Sequence, residues 1–132
     1  MNGKVWTFDD FEPGRAIGSA ALSLDRERLA RWQRLFAAAG AGADAPPGLL
    51  VALLMEGYMA ALAPRPPGNI HAGQTLRFSG HPLCEGEAFE VAIGCNAKQI
   101  KRERRWVHFG ATMCNEAGTE ILAGEMRVIW AA

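Results

Sequence analysis

A single carboxylate stands in the middle of an apolar run. In PPGLLVALLMEGYMAALAPRPPG, Pro46 to Gly68, the fifteen residues from Leu49 to Ala63 are apolar nearly all round, and Glu56 is their only charge. A carboxylate buried without a partner is costly, so Glu56 needs a cation, a ligand or a raised pKa. At about 100° per residue its neighbours on a helix are Leu49, Ala52, Leu53, Ala60 and Ala63. Three of these are alanine, which leaves a shallow groove open to a ligand, water or a second helix. Glu56 in such a groove has the chemistry of a general base, or pairs with an Arg or His from a strand.

Two further groups bear on the same chemistry. The amides of Gly48, Leu49 and Leu50 sit where a helix starts, so their N–H groups lack intrahelical acceptors and the helix dipole favours negative charge beside them. A carbonyl placed there would have its developing oxyanion stabilised, and Gly48 admits it closely. The alternative is that Gly48 only makes the turn out of Pro46-Pro47. His71 follows the proline-rich loop and is either the acid/base partner of Glu56, in the same or another subunit, or a plain hydrogen-bonding residue. His81 precedes Pro82 in a turn, and His108 shares a sheet face with Trp106; both read as surface. In KQIKRERRW, Lys98, Lys101, Arg102, Arg104 and Arg105 form a solvated hairpin tip or a docking point for phosphate, which arginine binds in a fork.

The elements that must position these groups are legible in the pattern. AIGSAALS (16–23) reads as a short strand. SLDRERLARWQRLFAAAG reads as an amphipathic helix capped by Ser23 and ended by Gly40, with Leu29, Trp32, Leu35, Phe36 and Ala39 on one stripe. Arg28, Arg31 and Arg34 fall on its solvated faces. The second helix, from Leu49 to about Ala63, is apolar round most of its circumference, which belongs in the middle of a structure. After Gly68 the period becomes two. Ile70, Ala72, Leu76 and Phe78 share one side and His71, Thr75 and Arg77 the other; three more alternating runs follow, at 88–97, at 105–114 and in a last strand where Leu122, Met126, Val128 and Trp130 alternate with Glu125, Arg127 and Ile129. Strand, helix, helix and four closely spaced strands predict an antiparallel meander wrapped about the apolar helix, an α+β architecture.

The bulk properties narrow the partners. The 132 residues suit one domain spanning 1–132, and 49% are hydrophobic. Lys+Arg and Asp+Glu both number 14, which argues against a general nucleic-acid or membrane-surface binder. The three cysteines, Cys84, Cys95 and Cys114, form no CxxC pair, so they read as small apolar residues in a reducing compartment. The N-terminal stretch has no apolar signal core and no run is long enough to span a bilayer, so a cytoplasmic location is expected. No metal cluster, Walker loop, GxGxxG or GxSxG occurs in the sequence.

Taken in order, the segments resemble the hot-dog fold, a central helix wrapped by a curved antiparallel sheet, and among hot-dog proteins the MaoC-like acyl dehydratase and hydratase family. FDDFEPGRAIGSAALSLDRERLARWQRLFA looks like that family's opening, PPGLLVALL like the start of its central helix, LRFSGHPLCEGEAFEV like its strand–Pro–Gly–acid turn, and NEAGTEILAGEMRVIW like its last hairpin. The family's hydratases carry an Asp and a His five residues apart in a GD-x-NP-x-H segment between the helices. Here the segment is GAGADAPPGLL; five residues after Asp44 comes Leu49, and no His lies between Asp44 and His71.

The resemblance implies acyl thioesters as substrates, the acyl chain running beside the helix in a site formed between two subunits. It implies Gly48 and Leu49 as carbonyl-binding amides, Glu56 or His71 as base, and Arg102, Arg104 and Arg105 on the phosphates of coenzyme A or a carrier-borne phosphopantetheine arm. No cofactor or metal is implied beyond that arm, and the partner is a second copy of the chain in a homodimer or higher assembly. Other hot-dog branches place an acid in mid-helix as the base or nucleophile of a thioesterase, which Glu56 matches in type and rough position. A non-catalytic hot-dog protein that binds acyl thioesters or serves a structural role is the remaining reading.

Overall fold

A computed structural model describes residues 3–36 and 42–132. After a one-turn 3-10 helix at Phe8–Asp10, the elements are β1 (Ala16–Ser23), α1 (Arg26–Phe36), α2 (Pro47–Ala61), β2 (Ile70–Phe78), β3 (Ala88–Lys101), β4 (Arg104–Asn115) and β5 (Glu120–Trp130). The strands form a five-stranded antiparallel sheet in the order β1-β3-β4-β5-β2. Only β3, β4 and β5 are the expected meander. The β2 strand does not pair with β3; it crosses to the far edge and pairs with β5, and β1 takes the place beside β3. The chain after β2 closes over the sheet end, where Leu83 is fully buried and Cys84 bridges to Asp44, so a tight β2–β3 hairpin does not form.

The core lies between α2 and the inner face of the sheet. Leu49, Leu50, Leu53, Leu54, Tyr58 and Leu62 point inward and meet a floor that includes Val91, Ile93, Phe109 and Met113. Gly57 sets the depth of the contact: a Cβ there would stand 2.4 Å from Val91 Cβ, so α2 approaches β3 as closely as it does only because position 57 is glycine. At one end Phe11, Phe109 and Trp130 pack edge to face, and Trp130 Nε1–H donates to the Trp6 carbonyl at 2.9 Å. The helix is apolar all round, but the sheet wraps only one side. Val51, Ala52 and Met55 are half-buried, and Glu56, Met59 and Ala60 are exposed.

Three local expectations change. The cap of α1 is Asp25, whose Oδ1 accepts the Arg28 N–H at 2.7 Å, in place of Ser23. The expected helix stop at Gly40 lies outside the described residues. In β2 a bulge between His71 and Gly73 resets the alternation. His71 opposes Val128 and Gln74 opposes Met126, both core residues, so His71 shares the inner face with Gln74, Leu76 and Phe78 rather than the side of Thr75 and Arg77. None of the described helices is long and apolar enough to cross a membrane.

Candidate active site

The start of α2 offers one free amide rather than three. Leu49 and Leu50 both donate to the Pro46 carbonyl, at 3.0 and 3.1 Å, and both side chains are buried. Pro47 has no N–H. Gly48 is left as the exposed amide without an acceptor among the described residues. Above it lies Trp32 of α1: a Cβ at position 48 would stand 3.0 Å from the ring carbon Cζ2. Gly48 therefore serves the packing of the two helices as well as the turn out of Pro46-Pro47.

Eight residues along, Glu56 projects from the uncovered side of α2. Its Oε2 accepts from Arg28 Nη1 at 2.8 Å, and the side chains keep 45% and 33% of their surface exposed. Such a half-open ion pair contributes about 0–1 kcal/mol, so it orients the carboxylate more than it stabilises the fold. The cation comes from α1, not from a strand. Both residues line an open groove of about 880 Å3 with Ser23, Asp25, Glu27 and Arg31. A second cavity, about 400 Å3, lies at the other end of α2 against Trp6, Ala61 and Ala63 and holds none of the candidate groups.

His71 is not joined to Glu56. It sits on the edge strand β2, with Nε2 and Gln74 Oε1 3.1 Å apart, and no hydrogen bond or ion pair links it to α2 within one chain. Asp44 is engaged elsewhere: the Cys84 thiol donates to its Oδ1 at 2.9 Å, and that bond, with the neighbouring carboxylates, pushes the thiol up to about 11. Burial raises the Cys95 thiol as well. Neither is a thiolate at neutral pH, and Cys84 is a polar donor instead of the apolar filler its composition suggested. His81 lies in an exposed turn beside Asn115. His108, on the outer sheet face, has its Nδ1 3.4 Å from Glu125, which also accepts from Asn96.

The arginine run lies at the opposite end of β3. From Ala88 to Lys101 the strand spans 14 residues, roughly 40 Å at about 3.3 Å per residue, so the hairpin and Gly48 belong to different ends of the sheet. Arg102 and Arg104 are exposed there. Arg105 faces the other way, opposite Trp130, and donates to the Ala131 carbonyl at 3.2 Å. Sequence reasoning missed Arg28, Trp32 and Glu125 as partners. Trp32 was visible only as a core residue of its helix; for Arg28, 28 positions from Glu56, no sequence signal existed.

The order β1-β3-β4-β5-β2 around one central helix is the hot-dog fold, α+β. No protein-family model and no curated protein matches the chain by sequence. Solved structures match it in shape. The MaoC-like dehydratase from Rhodospirillum rubrum aligns with a TM-score of 0.78 at 17% identity, over 94% of this chain and 96% of that one. An R-hydratase from Pseudomonas aeruginosa gives 0.73 at 22% identity, over 93% and 84%. A (3R)-hydroxyacyl-ACP dehydratase complex from Mycobacterium tuberculosis gives 0.68 at 11% identity, over 87% and 96%.

Proposed function

We propose that the chain binds acyl thioesters along the uncovered side of α2 and, where it turns them over, does so as a hydratase or dehydratase. The observation that carries the reading is the pairing, on one helix, of a free amide at Gly48 with an oriented carboxylate at Glu56 beside an open groove. The two are about 12 Å apart along the axis at ~1.5 Å per residue, and helical side chains lean toward the N-terminus, which brings the carboxylate nearer the amide. The shared fold with R-hydratases and a hydroxyacyl-ACP dehydratase supports the same substrate class.

In this reading the Gly48 N–H donates to the thioester carbonyl oxygen and stabilises the negative charge that develops there. Glu56 takes a proton from water as the oxygen adds to C3 of a 2-enoyl thioester, and returns that proton to C2, so no proton is gained or lost. A second copy covers Val51, Ala52, Met55 and Met59, and supplies the groove's other wall. A second reading has a specific observation behind it: Trp32 roofs Gly48 and Arg28 neutralises Glu56, which suits a protein that binds the acyl chain without turnover.

The test is a panel of 2-enoyl-CoA and saturated acyl-CoA esters with wild type, Glu56→Gln and His71→Ala. Hydration lost at least 100-fold in Glu56→Gln carries the catalytic reading. Acyl-CoA binding without turnover carries the second. Hydrolysis of the saturated esters moves Glu56 to a thioesterase, and neither binding nor turnover removes the thioester class.

A further inference from the structure

The tip of the β3–β4 hairpin collects charge that the rest of the chain neutralises. Seven of the 14 Lys and Arg residues make an ion pair: Lys4 with Asp10, Arg15 with Glu12, Arg26 with Glu85, Arg28 with Glu56, Arg31 with Glu27, Arg77 with Glu120 and Arg127 with Glu125. Among the described residues, Lys101, Arg102 and Arg104 make no ion pair and no side-chain hydrogen bond, and Glu103 is the one carboxylate between them.

Below these cations lies an apolar shelf. On the outer sheet face, Trp106 opposes Gln99 on one side and Ile129 on the other, while Lys101 opposes Arg104 one row nearer the tip. Trp106 and Ile129 are half-buried, so their exposed surfaces form a fixed floor. Lys101, Arg102, Arg104, Trp106 and Ile129 together line a cavity of about 290 Å3. That is close to the small end of ligand sites, about 300 Å3.

The turn itself carries a cost. Arg102 and Glu103 have φ of 52° and 64°, the left-handed pair of a two-residue hairpin turn usually built from Asn-Gly. Side chains in that region cost on the order of 1 kcal/mol each. The chain keeps two charged residues where glycine would relax the backbone, and strain of this kind gathers at binding sites.

We infer that this cavity binds a nucleoside phosphate, the base lying on Trp106 and Ile129 and the phosphates held by Arg102, Arg104 and Lys101. A flat ring over an indole and a fork of guanidinium N–H groups on phosphate match the two halves of such a ligand. Free nucleotide and the nucleotide end of coenzyme A are the two sources of this chemistry. With coenzyme A as its source the site rests on the thioester reading and deepens it; with free nucleotide as its source it stands apart from that reading.

The experiment is calorimetric titration of the full chain with ADP, adenosine 3′,5′-bisphosphate, coenzyme A, pantetheine and pyrophosphate. Arg102→Asn with Arg104→Gln removes charge while Asn keeps the left-handed turn, and thermal melts confirm that the fold is retained. ADP is expected to bind, to weaken with salt, and to weaken at least about tenfold in the double variant. Trp106→Leu is expected to weaken ADP about fivefold and leave pyrophosphate unchanged. Coenzyme A binding above ADP, with pantetheine silent, identifies the source as the coenzyme; ADP equal to coenzyme A identifies free nucleotide. No ADP binding, equal binding of ADP and pyrophosphate, or insensitivity to both variants overturns the inference. So does binding only to phosphatidylserine vesicles, for which the exposed Ile100 beside the cations provides an anchor. Hydration assays are scored separately, so loss of one result leaves the other standing.

Discussion

The guanidinium of Arg28 holds the Glu56 carboxylate at 2.8 Å across two helices, on the side of α2 that the sheet leaves open. The contact joins α1 to the candidate base without burying either charge. Arg28→Ala is therefore expected to shift stability by no more than about 1 kcal/mol, measured by denaturant unfolding. Its effect should appear in acyl-thioester binding or turnover instead. A loss of several kcal/mol would mark the pair as structural.

The two glycines of α2 separate packing from access. Gly57→Ala drives a methyl into Val91, an overpacking expected to cost about 1–3 kcal/mol. Val91→Ala in the same chain should recover part of that loss, read by denaturant midpoint. Gly48→Ala presses on Trp32 at 3.0 Å, where an indole can shift by a few tenths of an ångström. Stability should fall less than for Gly57→Ala, while binding at the adjacent amide falls more.

Tyr58 is the chain's only tyrosine, so its ionisation reports on the burial of α2 without interference. Desolvation lifts the phenol to about 12, against a smaller opposing pull from Arg65. Ultraviolet titration of the native protein should reach half-ionisation near pH 12, whereas the denatured chain does so near 10. The folded pKa is the higher one. The contribution of neutral Tyr58 is thus fully present below pH 10 and is lost as pH rises from 10 to 12. Native titration near 10 would mean that the α2 face is open.

Cys84 follows the same sign. Its thiol donates to Asp44, which raises it from an ordinary 9.0 to about 11, so the stabilisation it lends is complete below about pH 9 and lost between 9 and 11. Thiol-reactive probes at pH 8 should label Cys84 slowly, and Asp44→Asn should speed the labelling. Equal rates in the two proteins would dismiss the hydrogen bond.

Much of this fold was legible because burial writes its own period. The apolar run after Pro47 marked α2, and alternation marked the four strands β2 to β5 within a few residues, with β1 read from AIGSAALS. Partner choice was another matter. Nothing in IHAGQTLRF says that it pairs with β5 instead of β3, since either neighbour would bury Leu76. The bulge after His71 adds one residue and reverses every side assignment before it, so His71 was placed on the wrong face. Glu56 was singled out by its apolar surroundings, yet its partner came from a surface that looked merely solvated. Long-range pairing between exposed charges leaves no trace in local spacing.

The crossing of β2 to the far edge also governs the order in which the chain can be completed. Residues 70–78 emerge from the ribosome well before 120–130, the stretch that supplies their ladder partners. During that interval an edge bearing Ile70, Leu76 and Phe78 waits unpaired, open to a neighbouring nascent chain. The sheet cannot close until residues 120–130 have been made, and truncation before Glu120 leaves a strand with nowhere to dock.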